Sequence, residues 1–230
     1  MPFTFSHPAV VLPIGRLFKN RLSPAALIIG SMTPDFEYFI NFKQHSVYSH
    51  TWLGIFWFDL PLGLLLYFLF TGVVKDQLIY HFPNFLNVRF SRFIGFKKKI
   101  TFKNILMIIV ALLIGIVTHL IWEKITHGTV RLVDEGMELY SFIWDANSLI
   151  GAAFVGAVVW RMPKKQLIKS DSRLSFWLFN LEIIFLVIVL NSRWATLRTL
   201  GVCAISGLFI APLMSSTLLK QPIESLKRPK

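Results

Sequence analysis

Cysteine, acidic side chains and charge in general are scarce in this sequence. Its 230 residues contain one cysteine, Cys203, inside an apolar run. A single thiol builds neither a disulfide framework nor a thiolate zinc cluster, so a bound metal would have to be held by nitrogen and oxygen. Charged residues make up 16% of the chain, where soluble domains carry roughly a quarter. Lys and Arg outnumber Asp and Glu by 24 to 12, a formal net charge of +12. The basic residues collect between apolar runs, as in the loops of membrane proteins, so nucleic acid is not an expected partner. No G-x-S-x-G elbow supports serine-lipase chemistry. The opening stretch MPFTFSHPAVVLPIGRLFKNR lacks the basic, apolar, small-residue order of a secretory signal. Internal repeats and low-complexity tracts are also missing.

What is abundant is apolar surface: 54% of residues are hydrophobic, 22 of them Phe. Runs near the length of a bilayer span place the chain in the membrane class. Five spans can be drawn, at 52–74, 104–122, about 139–160, 174–190 and 199–219. The third has the shortest clean apolar part, ANSLIGAAFVGAVVW. Residues 22–40 predict a short helix ending near Pro34, too broken to cross alone and expected to pack on the bundle or lie at the interface. The expected fold is therefore all-α: a multi-pass transmembrane helical bundle of about five spans with a short N-terminal helical segment packed on it. Residues 1–160 form the expected metal-site domain, and 161–230 add two helices that complete the bundle.

Lys and Arg set the orientation. The segment 75–103 holds seven, 161–173 five and the tail from 220 four, against two each in 124–138 and 192–198. The positive-inside rule puts the first three, with the C-terminus, in the cytoplasm. The start of the first span and the end of the second then emerge on the opposite side. His7, Asp35, His45, His50, His119, Glu123 and His127 all belong to that side, and among the histidines only His81, in the basic loop, does not.

The stretch THLIWEKITH closes the second span. On a helix, His119, Glu123 and His127 are spaced four apart and share one face. With His7, Asp35 and His50 they supply four nitrogens and two carboxylates, enough for one well-filled site or two open ones for Zn²⁺ or a similar divalent ion. A hydrolytic site further needs an open position where a water can be activated. Each residue also has a plainer reading. His119 and Glu123 can pair with each other, His7 and Asp35 can cap helices, and His50 can sit at the interface beside Trp52. His45 reads as a loop residue or as a group that supports the ligands from behind. Asp59, Asp145 and Glu182 are acids at or within spans, where an ionisable group is a functional hypothesis by default.

MPFTFSHPAVVLPIG, LIIGSMTPDFEYF, SHTWLGIFWFDLPLGLLL and THLIWEKITH together resemble a bacterial multi-pass membrane family recorded as a domain of unknown function, over most of residues 1–160. That family is similar in turn to inner-membrane metal-dependent hydrolases. Its order of His, Pro-Asp, His, then His-x-x-x-Asp and a further His is similar to zinc-dependent phospholipase C and the S1/P1 nucleases. The resemblance implies His7, Asp35, His50, His119, Glu123 and His127 as ligands of one or two zinc ions. Glu123 stands where those patterns more often show Asp, and the later His-x-x-x-Asp/Glu pair has no counterpart after His127.

The function expected is that of a membrane-embedded, metal-dependent hydrolase in the bacterial plasma (inner) membrane. It would act at the non-cytoplasmic face on a phosphoester, with lipid or lipid-linked substrates suggested by position, and with Asp35 and Glu123 as its catalytic carboxylates. The alternative is a non-enzymatic integral membrane protein that binds or senses a divalent ion, or a proton-coupled transporter using Asp59, Glu182 and the histidines.

Overall fold

Helices supply all the regular structure among the described residues of the computed structural model, which are 4–18, 22–96, 100–131, 137–191 and 196–221; the side chains of 16, 126–131, 137–145 and 198 lie outside that description. A 3₁₀ turn, Thr4–Ser6, precedes α1 (Pro8–Leu17), α2 (Pro24–Met32) and α3 (Phe36–Asn41). Then come α4 (Leu60–Leu69), α5 (Lys75–His81) and α6 (Asn84–Phe90), followed by the long helices α7 (Phe102–Arg131), α8 (Met137–Trp160), α9 (Arg173–Asn191) and α10 (Leu197–Leu218). Four helical stretches are long and apolar enough to cross a membrane: Ile55–His81, Phe102–Ile125, Arg173–Asn191 and Thr199–Leu218. The fifth expected span corresponds to α8, whose described apolar part, Ala146–Trp160, is shorter.

By its contacts the chain divides into two compact units. One comprises Met1–Glu37, Ser46–Tyr67 and Lys99–Arg161; the other comprises Tyr38–His45, Phe68–Lys98 and Met162–Lys230.

In the first unit α2 begins where sequence chemistry puts it. Ser23 Oγ accepts from the Ala26 N–H, and Pro24, which has no N–H to lose, takes the first helical position. The helix stops at Met32, and a 3₁₀ turn, Thr33–Asp35, carries the chain into α3. Packing of α2 on α7 is backbone on backbone. A Cβ on Gly115 would lie 2.5 Å from the Leu27 carbonyl oxygen and 2.6 Å from the Ser31 nitrogen, and one on Gly30 would collide with the Leu112 carbonyl. Lipid is as apolar as leucine, so contact of this kind, with dispersion over Leu27, Ala111 and Leu112, is what joins helices within a membrane.

The first span starts in a π-helical turn, Ile55–Asp59, where the Leu60 N–H reaches the Ile55 carbonyl. Pro61 lies just beyond and has no N–H to offer the Trp57 carbonyl, which favours the wider turn. The helix continues to His81, past the expected end at 74, through a second π turn at Phe70–Val74.

In the second unit, Lys75 reads as a loop residue by charge, yet it is buried with its ammonium donating to the Phe93 carbonyl at 2.9 Å. His81 is likewise no loop residue. It ends α5 fully buried, with Nδ1 at 2.8 Å from the Gln77 carbonyl and Nε2 at 3.0 Å from Ser172 Oγ, its ring stacked on Phe176. Its role is to tie α5 to α9. In the same unit α9 meets α10, where Asn180 Nδ2 donates to Ser215 Oγ at 3.0 Å.

Candidate metal centre

Helix α7 delivers His119 and Glu123 one turn apart. The close approach of α2 brings the Ser31 carbonyl to 2.8 Å from His119 Nδ1. A carbonyl only accepts, so Nδ1 carries the proton and Nε2 is left with its lone pair, as a metal-binding imidazole requires. That Nε2 makes no hydrogen bond among the described residues, and His119 is 1% exposed.

Asp35 comes from the turn that ends α2 and is fully buried. It caps nothing. Its Oδ2 accepts from Thr4 Oγ1 at 2.7 Å, and its Oδ1 lies 3.6 Å from His119 Nε2 and 3.7 Å from His50 Nε2. His7, just ahead of Pro8, stacks on His119 with ring centroids 3.9 Å apart, its Nε2 at 4.0 Å from Asp35 Oδ2. Neither His7 nitrogen is hydrogen-bonded among the described residues. Burial holds its pKa down to about 4, so the ring is neutral.

His50 is positioned by a residue that the sequence did not single out. Glu37, on α3 and 3% exposed, receives the backbone N–H groups of Val47, Tyr48 and Ser49, at 2.7 Å for Val47 and 2.7 Å for Ser49. The loop so anchored ends at His50 in the left-handed conformation, φ 61°, uncommon for a residue with a side chain but more accessible to histidine than to most. Ser49 Oγ lies 2.8 Å from His50 Nδ1, which turns Nε2 toward Glu123 Oε2 at 3.1 Å. Burial pushes the His50 pKa down, but the Asp35 and Glu123 carboxylates outweigh it and raise it to about 10. A cation entering here therefore displaces a proton.

One atom from each of Asp35, His50, His119 and Glu123 lies within 4.8 Å of the others. Glu123 Oε2 is 3.9 Å from His119 Nε2. A small divalent ion with bonds of about 2.0–2.1 Å spaces tetrahedral ligands about 3.3 Å apart. Four of the six edges of this cluster, at 3.1, 3.6, 3.7 and 3.9 Å, bracket that value. Two carboxylates and two imidazoles this close, with a proton on His50 for the ion to displace, fit a divalent cation on the chemistry of the donor set. On its open side the cluster borders a cavity of about 140 Å³ lined by His50, Leu120, Glu123 and Lys124.

Of the expected ligands, the structure thus brings together Asp35, His50, His119 and Glu123, with His7 stacked behind His119. His127 lies two turns further along α7, its side chain outside the described residues, as is that of Asp145 on α8. His45 is exposed, as is Glu182 on α9. Asp59 is fully buried, and neither of its oxygens makes a hydrogen bond among the described residues. Glu37, Ser31 and Thr4 were missed because they act through partners remote in sequence, whereas Ser49 adjoins its partner His50 and carries no spacing signal of its own. The one available signal was an acid, Glu37, two residues after Asp35 in an otherwise apolar segment.

Replacing Glu37 with glutamine is expected to loosen the loop that carries His50. Charge-assisted hydrogen bonds to backbone N–H groups are lost, which costs about 1.5–3 kcal/mol. Metal affinity should fall about 10–100-fold, read by competition with a chromophoric chelator. Burial pushes the Glu37 pKa up, but the N–H groups of Val47, Ser49 and Tyr48 hold it below its ordinary 4.5. Its folded value is depressed, so its stabilisation is complete above pH 4.5 and is lost as pH falls through the lower folded value. An affinity unchanged in Glu37→Gln would show that His50 is held by other means.

Fold and site together define an all-helical integral membrane protein with a buried Asp/His/Glu cluster able to hold a metal ion. The chain belongs to the family described as a domain of unknown function, DUF4184, which matches residues 1–217. No curated protein and no solved structure matches it.

Proposed function

We propose that the protein is a metal-dependent hydrolase of phosphoesters, embedded in the bacterial plasma membrane with its centre near the non-cytoplasmic face. The observation that carries this reading is the convergence of Asp35, His50, His119 and Glu123, from three separate stretches of chain, beside an open cavity. Zinc suits a donor set of imidazole and carboxylate without thiolate. A divalent ion held by these residues would supply activation of water near neutral pH and stabilisation of negative charge developing on a phosphoryl group.

The chain's own residues do the rest. His119, fixed by the Ser31 carbonyl, and Asp35, fixed by Thr4, form the rigid wall of the site. His50 and Glu123 form its cavity side. Asp35, His50 and His119 would hold the ion, which leaves Glu123, 12% exposed at its side chain, as the carboxylate that would take a proton from an attacking water. The site lies where α7 nears the end of its apolar stretch, which favours substrates presented at headgroup level. The basic segments 75–103 and 161–173 support an orientation with the site away from the cytoplasm.

Purified protein should hydrolyse a short-chain phosphoester, lose the activity to a zinc chelator and regain it with added zinc. Asp35→Asn should remain inactive throughout. Protein that carries its metal yet turns over none of a panel of phosphomonoesters and phosphodiesters would overturn the reading. A second reading, proton transfer along the first span, is favoured by buried Asp59 alone. It predicts metal-independent proton flux in vesicles, abolished by Asp59→Asn.

A further inference from the structure

Glu123 and Lys124 are consecutive on α7, so their side chains diverge by about 100° around the helix. Glu123 turns to His50 and His119. Lys124 turns to the mouth of the cavity, which it lines with His50, Leu120 and Glu123. Its ammonium lies over the Trp52 ring, 4.7 Å from the centroid, and makes no ion pair among the described residues. It does not cap a helix end, because α7 continues to Arg131. A lysine held on an aromatic face at a cavity mouth, beside carboxylates already turned toward imidazoles, leaves its charge directed at whatever enters.

The charge balance sets the sign of that ligand. A divalent ion between Asp35 and Glu123 cancels the two carboxylates, and Lys124 then makes the open side of the site positive. The flanks are apolar and uncovered: Trp52 is 53% exposed, Leu53 78%, Ile121 44% and Ile125 56%. An anionic head and an apolar tail both have somewhere to go.

We infer that Lys124, braced on Trp52 at the cavity mouth, is the anion-binding residue of the centre, and that with its apolar flanks it selects phosphate-bearing amphiphiles over soluble phosphates. The inference deepens the hydrolase reading and rests on it for turnover, though not for binding.

The test uses full-length protein in non-ionic micelles, loaded with cobalt(II). Phosphorus relaxation of dodecyl phosphate or inorganic phosphate reports approach to the metal and not mere partition into the micelle. Dodecyl phosphate should relax with saturating behaviour and bind at least tenfold more tightly than inorganic phosphate. Lys124→Gln should weaken dodecyl phosphate binding about tenfold with cobalt content unchanged. Lys124→Arg should retain binding, and Lys103→Gln, at the far end of α7, should match the wild type. Equal binding by Lys124→Gln and wild type would make Lys124 a residue that merely reaches for the membrane surface, overturning the inference. Equal affinity for both phosphates would overturn its amphiphile part. Lys124-dependent binding without turnover of any phosphoester would leave the inference standing and remove the hydrolase reading. A folded preparation that takes up no cobalt would remove both.

Discussion

His119→Ala is expected to abolish stoichiometric metal binding while the protein still inserts and folds. The imidazole is the ligand with the least freedom: its Nδ1 is committed to the Ser31 carbonyl, its ring is stacked on His7, and its Nε2 lies within 4 Å of both Asp35 and Glu123. Alanine removes that donor and leaves a void beside the buried Asp35 carboxylate. Loss of a hydrogen bond behind a ligand typically costs 10–100-fold in affinity, so loss of the ligand itself should cost more than about 100-fold. Elemental analysis of purified wild type and variant, after loosely held ions are removed, reads the result. His81→Ala is the informative control. It deletes an equally buried histidine of the second unit, with hydrogen bonds to Gln77 and Ser172, so it should lower the unfolding temperature while metal content stays at the wild-type level. Equal metal in wild type and His119→Ala would remove the cluster as a metal centre.

Gly115→Val is expected to be the most damaging single change away from the ligands. A Cβ at this position meets backbone, the Leu27 carbonyl oxygen at 2.5 Å and the Ser31 nitrogen at 2.6 Å, and backbone cannot swing aside as a side-chain tip can. Helices α2 and α7 must part, at a cost of about 3 kcal/mol or more and a fall of about 10 °C in unfolding temperature. Parting also withdraws the Ser31 carbonyl from His119, so metal affinity should fall with stability although no ligand is altered. Gly72→Ala makes the comparison, since a Cβ there meets nothing within 4 Å. If Gly115→Val melts like the wild type, the helices do not meet as closely as described.

The sequence by itself determined the helical, membrane-spanning class, because a bilayer demands long apolar runs and those runs are contiguous in the chain. It also determined the pairing of His119 with Glu123, because four-residue spacing on a helix needs no tertiary help. Pro34 marked where a helix ends, a property of the missing N–H. Charge misled at Lys75 and His81, which read as loop residues but are buried, because the carbonyls and the Ser172 hydroxyl that satisfy them come from residues up to 91 positions away. Glu37 stayed invisible for a related reason: its partners are backbone N–H groups, which carry no residue identity. Only the tertiary structure decided that Asp35, His50, His119 and Glu123 meet within 4.8 Å while His45 stays exposed. That choice depends on two glycines letting α2 reach α7 and on one buried carboxylate folding the loop back, and both are agreements between distant segments that no local pattern encodes.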